Sequence, residues 1–153
     1  MELEAVKRYL EEGEEKKAAT FDGLPLRFCE RLTMQGLHID LIEPGRIICS
    51  FKVPTRLLNS SNFLHGGATA TLVDVLATAV IFSVGAPAPG VSVEIKVSYF
   101  DAAYADEEFE IEGRALHVGK AVGVFSVELR KKKTGKIIAQ GRHSKYLAVS
   151  IKM

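Results

Sequence analysis

Asp74 sits in Leu72-Val73-Asp74-Val75-Leu76, inside a run from Ala68 to Val84 that is otherwise almost free of charge. Burying a carboxylate among such neighbours is expensive, so it persists only with partners or with a raised pKa. His65-Gly66-Gly67 opens the same run. Two residues without side chains at a helix start let a ligand approach the first backbone N–H groups, which makes a donor site for a carbonyl oxygen or an oxyanion. Just upstream stand Asn59 and Asn62, whose amides can hold a water or donate to a carbonyl. A carboxylate, fixed N–H donors and an amide are the parts needed to activate water against a polarised carbonyl. Each part also has a plainer reading. Asp74 can lie on a polar stripe, hydrogen-bonded to Thr71 or Thr78. Glycines start helices for steric reasons, and loops are rich in Asn.

Spacing constrains the catalytic reading. Gly66 and Asp74 are eight residues apart, which is about 12 Å along a helix axis. One ester or thioester carbonyl cannot touch the Gly66 N–H and be attacked from Asp74 of the same chain. If both groups serve one substrate, the carboxylate comes from a second copy whose helix runs antiparallel. That places a shared site at a dimer interface.

The surrounding elements are legible from periodicity. Leu3, Val6, Tyr9 and Leu10 predict a short amphipathic helix, ended by Gly13 and the charged run Glu14 to Lys17. A loop or short second helix follows from Phe21 to Met34. Leu37, Ile39 and Leu41 alternate with polar residues, Glu43-Pro44-Gly45-Arg46 makes a turn, and Ile47 to Val53 completes a hairpin. Thr55 to Leu64 is irregular. The apolar run after His65 predicts a helix of four to five turns that is buried on nearly every face. It stops at Gly85 to Gly90. Four strands follow, with turns at Gly119-Lys120 and Lys131 to Lys136, the last strand reaching Val149.

An all-apolar helix needs cover, and an antiparallel sheet has one face to bury. The expected class is therefore α+β, with five to six strands curled around one long helix. Residues 1–20 read as a helical extension and 21–153 as one domain. The sheet edge left over invites a second copy.

Composition removes other classes. The chain has 153 residues, with 20 Lys+Arg against 19 Asp+Glu, so it lacks the basic excess of a nucleic-acid binder. Cys29 and Cys49 are too few for a disulfide framework or a four-cysteine zinc site, and two reduced, buried thiols are expected. Asp74 in the middle of the most apolar stretch argues against a membrane span. The N-terminus reads neither as a signal nor as a transit peptide, so the cytoplasm is the expected compartment, or an organelle if a targeting segment is absent from this sequence. No metal-ligand spacing and no Gly-x-Ser-x-Gly elbow occurs.

Taken in order, Asn59-x5-His65-Gly66-Gly67, Thr71-Leu72-Val73-Asp74, Gly90-Val91-Ser92-Val93 and Thr134 to Arg142 resemble the hotdog-fold acyl-CoA thioesterases of the 4-hydroxybenzoyl-CoA and phenylacetyl-CoA type, nearest their eukaryotic branch. The resemblance runs from about Phe21 to Leu147. It implies a sheet wrapped around a helical sausage, and dimers that pair into a homotetramer. It implies hydrolysis of an acyl-CoA, with coenzyme A as part of the substrate and no other cofactor. In it Asp74 matches the general base or nucleophile, and Gly66 the backbone N–H that polarises the carbonyl. Asn59 matches the side chain that holds carbonyl or water, His65 a group shaping the site, and Ser92 the hydroxyl that orients the attacking water. The segment His117, Val118, Gly119, Lys120, Ala121 and Val122 matches the nucleotide arm of coenzyme A.

Arg56, Tyr99, Arg142, Lys145 and Tyr146 are further candidates for substrate contact, and Leu72, Leu76 and Phe63 for the acyl pocket. His38 is expected to face outward and His143 to line the sheet edge without a clear role. A noncatalytic acyl-CoA-binding protein and a 3-hydroxyacyl dehydratase of the same fold stand as alternatives. The set Asp74, Asn59 and Ser92 argues against the first. The absence of a dehydratase His and acidic-residue spacing argues against the second.

Overall fold

The apolar run after His65 becomes one continuous helix because it holds neither Pro nor Gly between Ala68 and Ser83. In a computed structural model of the chain, which describes residues 2–11 and 28–148, this helix lies against a six-stranded sheet. The elements are α1 (Leu3–Glu11), α2 (Phe28–Met34), β1 (His38–Glu43), β2 (Arg46–Lys52), a 3₁₀ turn at Thr55–Leu57, α3 (Gly66–Ser83), β3 (Val91–Tyr99), β4 (Glu108–Val118), β5 (Val122–Lys131) and β6 (Ile137–Tyr146). The strand order is β1-β2-β4-β5-β6-β3, with every pair antiparallel. The expected hairpin, long helix and four following strands are all present. The ends expected at Gly13 to Lys17, the stretch from Phe21 to residue 27 and the strand end at Val149 lie outside the described residues.

The sheet wraps α3 with alternate residues of its strands. Ile47, Cys49 and Phe51 of β2, Phe109 and Ile111 of β4, and Phe125, Val127 and Leu129 of β5 are buried against Leu72, Leu76, Val80 and their neighbours. Two glycines let backbone and helix touch. A Cβ on Gly141 would stand 2.7 Å from both Val73 methyls, and one on Gly113 would stand 2.9 Å from a Val80 methyl. By length and composition α3 resembles a membrane-crossing helix, but its apolar surface is spent on this sheet.

The N-terminal helix is packed in as well. Val6 and Leu10 are fully buried, and Tyr9 meets Phe82 edge-to-face at 6.2 Å between ring centres. The thiols differ from expectation. Both are free, but only Cys49 is buried, whereas Cys29 at the start of α2 is exposed. Cys49 alternates inward on a strand, and α2 turns Cys29 outward.

β3 is an edge strand with an unusual surface. Val91, Val93 and Ile95 are exposed, Val93 to 69%. A bulge between Ser92 and Glu94 breaks its pairing with β6.

Candidate active site

The start of α3 forms one group of donors. His65 is the N-cap, and its Nδ1 accepts the Gly67 N–H at 2.8 Å. The Gly66 N–H finds no acceptor among the described residues. Tyr99 at the end of β3 donates its hydroxyl to the Gly66 carbonyl at 2.7 Å, which fixes this first turn. Asn59 folds its loop around itself. Its Oδ1 accepts the N–H groups of Ser61 at 2.9 Å and Phe63 at 3.2 Å. The carbonyl end of the amide is thereby occupied, and its NH₂ end remains to donate outward. Beside Gly66 opens a mainly apolar cavity of about 320 Å³ lined by Phe63, Leu64, Tyr99, Ile138 and Ala139.

A second polar group lies further along α3. The Asp74 side chain is 50% exposed and its Oδ1 stands 3.7 Å from His143 Nδ1. His143 on β6 is completely buried, and its Nε2 is 2.7 Å from the Ser92 hydroxyl. Its Nδ1 has no hydrogen-bond partner among the described residues. Burial, and next the charge of Lys145, push the His143 pKa down to about 4 against the opposing pull of Asp74. The ring is therefore neutral at pH 7. With its proton on Nδ1 it points an N–H at Asp74 and accepts from Ser92.

These two groups are far apart within one chain. α3 runs antiparallel to β3, so Gly66 lies beside Tyr99 while Asp74 lies toward Ser92. Eight residues of helix separate Gly66 from Asp74, about 12 Å along the axis. Seven residues of strand separate Tyr99 from Ser92, about 23 Å of extended chain.

Comparison with known proteins identifies the fold and its lineage. The Thioesterase superfamily profile matches residues 61–138. Human acyl-coenzyme A thioesterase 13 is 44% identical over 104 residues, spanning 68% of this chain and 74% of that protein. The chain belongs to the thioesterase superfamily. The crystal structure of zebrafish thioesterase superfamily member 2 superposes with a TM-score of 0.81 at 34% identity, covering 96% of this chain and 99% of that one. Mouse thioesterase superfamily member 2 gives a TM-score of 0.71 at 40% identity, covering 74% and 83%.

Several residues of this thioesterase stand elsewhere than expected. Neither Thr71 nor Thr78 bonds the Asp74 carboxylate. Thr71 donates to the Gly67 carbonyl, and Thr78 to the Asp74 carbonyl. Leu72 and Leu76 are fully buried in the core rather than at the cavity, which only Phe63 of the three lines. Lys145 is not a surface cation. It is 3% exposed and donates to Thr78 at 2.9 Å. His143 is not at a bare edge, since β3 covers β6 there. Arg56 donates to the carbonyls of Leu32 and Gln35, at the end of α2. Arg142 lies on the outer face beside Lys96, Ser98 and Gln140. His38 is exposed as expected.

The turn expected at Val118 to Val122 is present, closed by the Gly119 N–H to the Val122 carbonyl at 2.9 Å. Tyr146 pairs with both Val91 and Val122, so this turn stands at the Ser92 end of the sheet. The residue that sequence reasoning undervalued is His143. Its signal was register. Ala139, Gly141, His143 and Lys145 alternate on the face of β6 that meets α3.

Proposed function

We propose that this thioesterase hydrolyses acyl-CoA to the free acid and coenzyme A in sites assembled from two copies of the chain. One copy supplies Gly66, Asn59, His65 and Tyr99, and the other supplies Asp74, Ser92 and His143. The observation that carries the reading is the separation of the two groups along α3 and β3, which no single carbonyl spans. Pairing of two β3 edges in antiparallel fashion sets Tyr99 of one copy near Ser92 of the other and covers Val91, Val93 and Ile95. The name of the human relative supports an acyl-CoA as substrate.

In this reading the thioester carbonyl accepts from the Gly66 N–H and the Asn59 amide. Both are fixed before the substrate arrives, so the developing oxyanion meets oriented donors. A water donates one proton to the Ser92 oxygen and the other to Asp74, which turns a lone pair toward the carbonyl carbon. Asp74 takes the proton as the carbon–oxygen bond forms. The carbon–sulfur bond then breaks, and the leaving thiolate of coenzyme A takes up the proton that Asp74 accepted, which restores the carboxylate. His143, neutral and buried, holds the Ser92 hydroxyl in place. The acyl group enters the cavity beside Gly66, and the turn from His117 to Val122 with Tyr146 meets the nucleotide end. Dimers pair further into a tetramer, as the family resemblance implies.

Mixing tests the shared site. Gly66→Pro removes the proposed donor, yet Pro suits the first position of a helix. The preceding His65 already has φ −61° and ψ 134°, the extended backbone that a following Pro requires. Gly66→Pro and Asp74→Asn should each lose about 10²-fold or more of the thiol release from acyl-CoA. Refolded together, they should recover about a quarter of wild-type turnover by random pairing. A mixture as inactive as its parents, with mixed dimers present, would exclude a site shared between copies.

A further inference from the structure

We infer that Lys145 is a positioning residue for the water-activating group, its clamped ammonium fixing the charge that Asp74 and His143 meet. The inference rests on the thioesterase reading above.

A buried ammonium is normally paired with a carboxylate or has its head in water. Lys145 has neither. It is 3% exposed, and among the described residues no carboxylate comes within ion-pair distance of it. Its Nζ donates to the Thr78 hydroxyl at 2.9 Å, and that hydroxyl donates in turn to the Asp74 carbonyl at 2.9 Å. The cation is thus tied to the helical turn that carries Asp74. His143 lies two residues earlier on the same inward face of β6, about 7 Å along the strand.

The charged groups facing His143 are therefore Asp74 from α3 and Lys145 from β6. β3 presents the uncharged Ser92, and β5 presents Phe125 opposite it in register. Burial is the first barrier to a second proton on the imidazole, Lys145 adds to it, and Asp74 opposes both. A protonated ring would pair with Asp74 and occupy the carboxylate that has to accept a proton from water. With Lys145 in place, a charged His143 would put two cations side by side in the interior. The lysine thereby adds to burial in keeping the ring neutral and the carboxylate free as pH falls. Its own pKa is lowered by burial and supported by Asp74.

The test is the titration of the His143 ring by NMR, alongside the pH profile of acyl-CoA hydrolysis. Lys145→Gln keeps a donor for Thr78 and removes the charge, whereas Lys145→Arg keeps the charge. In wild type His143 should titrate well below its ordinary 6.5. In Lys145→Gln its acid dissociation constant should fall about tenfold, and the acid limb of turnover should move up by a similar interval. Lys145→Arg should restore both. Wild-type titration at or above 6.5 would overturn the inference without recourse to any variant. So would a folded Lys145→Gln with His143 and the acid limb unmoved. The NMR reading needs no substrate. If no acyl-CoA is turned over, the thioesterase reading fails while the Lys145 inference is still decided.

Discussion

Two charged clusters face opposite sides of the same sheet, and they are built on opposite rules. On the outer face Glu112 is nearly buried, yet Arg46, Arg114 and Arg130 all reach its carboxylate, at 3.0, 2.9 and 3.3 Å. Arg130 also binds Glu110 and Glu128. On the inner face Asp74, His143, Lys145 and Ser92 are under-supplied. Among the described residues the His143 Nδ1 has no hydrogen bond, and Lys145 has an uncharged partner. A saturated network has nothing left to offer a substrate and serves to hold strands in register. An unsaturated one stores donors and charge for something that arrives later, at a cost in stability.

The sharpest way to break this contrast is to remove one carboxylate from each cluster. Asp74→Asn should lower turnover by about 10²- to 10⁴-fold. Because the side chain is half exposed and its near neighbour His143 Nδ1 stands 3.7 Å away, beyond hydrogen-bond distance, the melting temperature should move by only a few degrees. Glu112→Gln should do the reverse. It leaves three guanidiniums around a neutral amide, at a cost of about 2 kcal/mol, with turnover preserved. Steady-state kinetics and urea unfolding on both variants decide it. Equal loss of activity in the two, or a large stability loss in Asp74→Asn, would dissolve the distinction.

Acid separates the clusters on a smaller scale. His143 is held at about 4 in the folded chain, chiefly by burial, against an ordinary 6.5. The unfolded chain therefore binds a proton that the native one refuses, and stability falls as pH drops from 6.5 toward 4. The loss should reach about 3 kcal/mol by pH 4. For Glu112, burial raises the pKa, but the hydrogen bonds from Arg114 and Arg46 outweigh it and hold it below the ordinary value. Its contribution is present above the unfolded carboxylate pKa and is lost as pH falls through the lowered one. Urea midpoints between pH 7 and 3 should show two separate declines. His143→Gln should abolish the upper one and Glu112→Gln the lower one.

The two halves of the proposed site differed in how legible they were. Asn59, His65, Gly66 and Gly67 lie in one local stretch, and a loop entering a helix through glycines is readable without tertiary information. The water-side half is assembled by register across α3, β3 and β6. The inner face of β6 carries Ala139, Gly141, His143 and Lys145, which shows no apolar alternation. The small residues are there because α3 presses on the strand, as the Val73 methyls against Gly141 show. A strand read by hydrophobic period alone hides which of its polar residues point inward. Asp74 was misplaced for the opposite reason. Its neighbours suggested full burial, but β3 ends the sheet and leaves that flank of α3 open.

The smallest predicted effect sharpens the contrast most finely, because it compares the loss of one partner in each cluster. Arg114 is 53% exposed, and Glu112 keeps Arg46 and Arg130 without it. Arg114→Ala should therefore cost about 0.5 kcal/mol or less, as for other exposed ion pairs. The Ser92 hydroxyl is hydrogen-bonded to His143 Nε2. Ser92→Ala leaves a buried ring nitrogen with no bond at either end, at a cost of about 1 to 2 kcal/mol. The ratio of these two losses, read from urea unfolding at pH 7, measures redundancy directly. If Arg114→Ala cost as much as Ser92→Ala, the outer network would be as finely balanced as the inner one, and saturation would no longer distinguish a scaffold from a site.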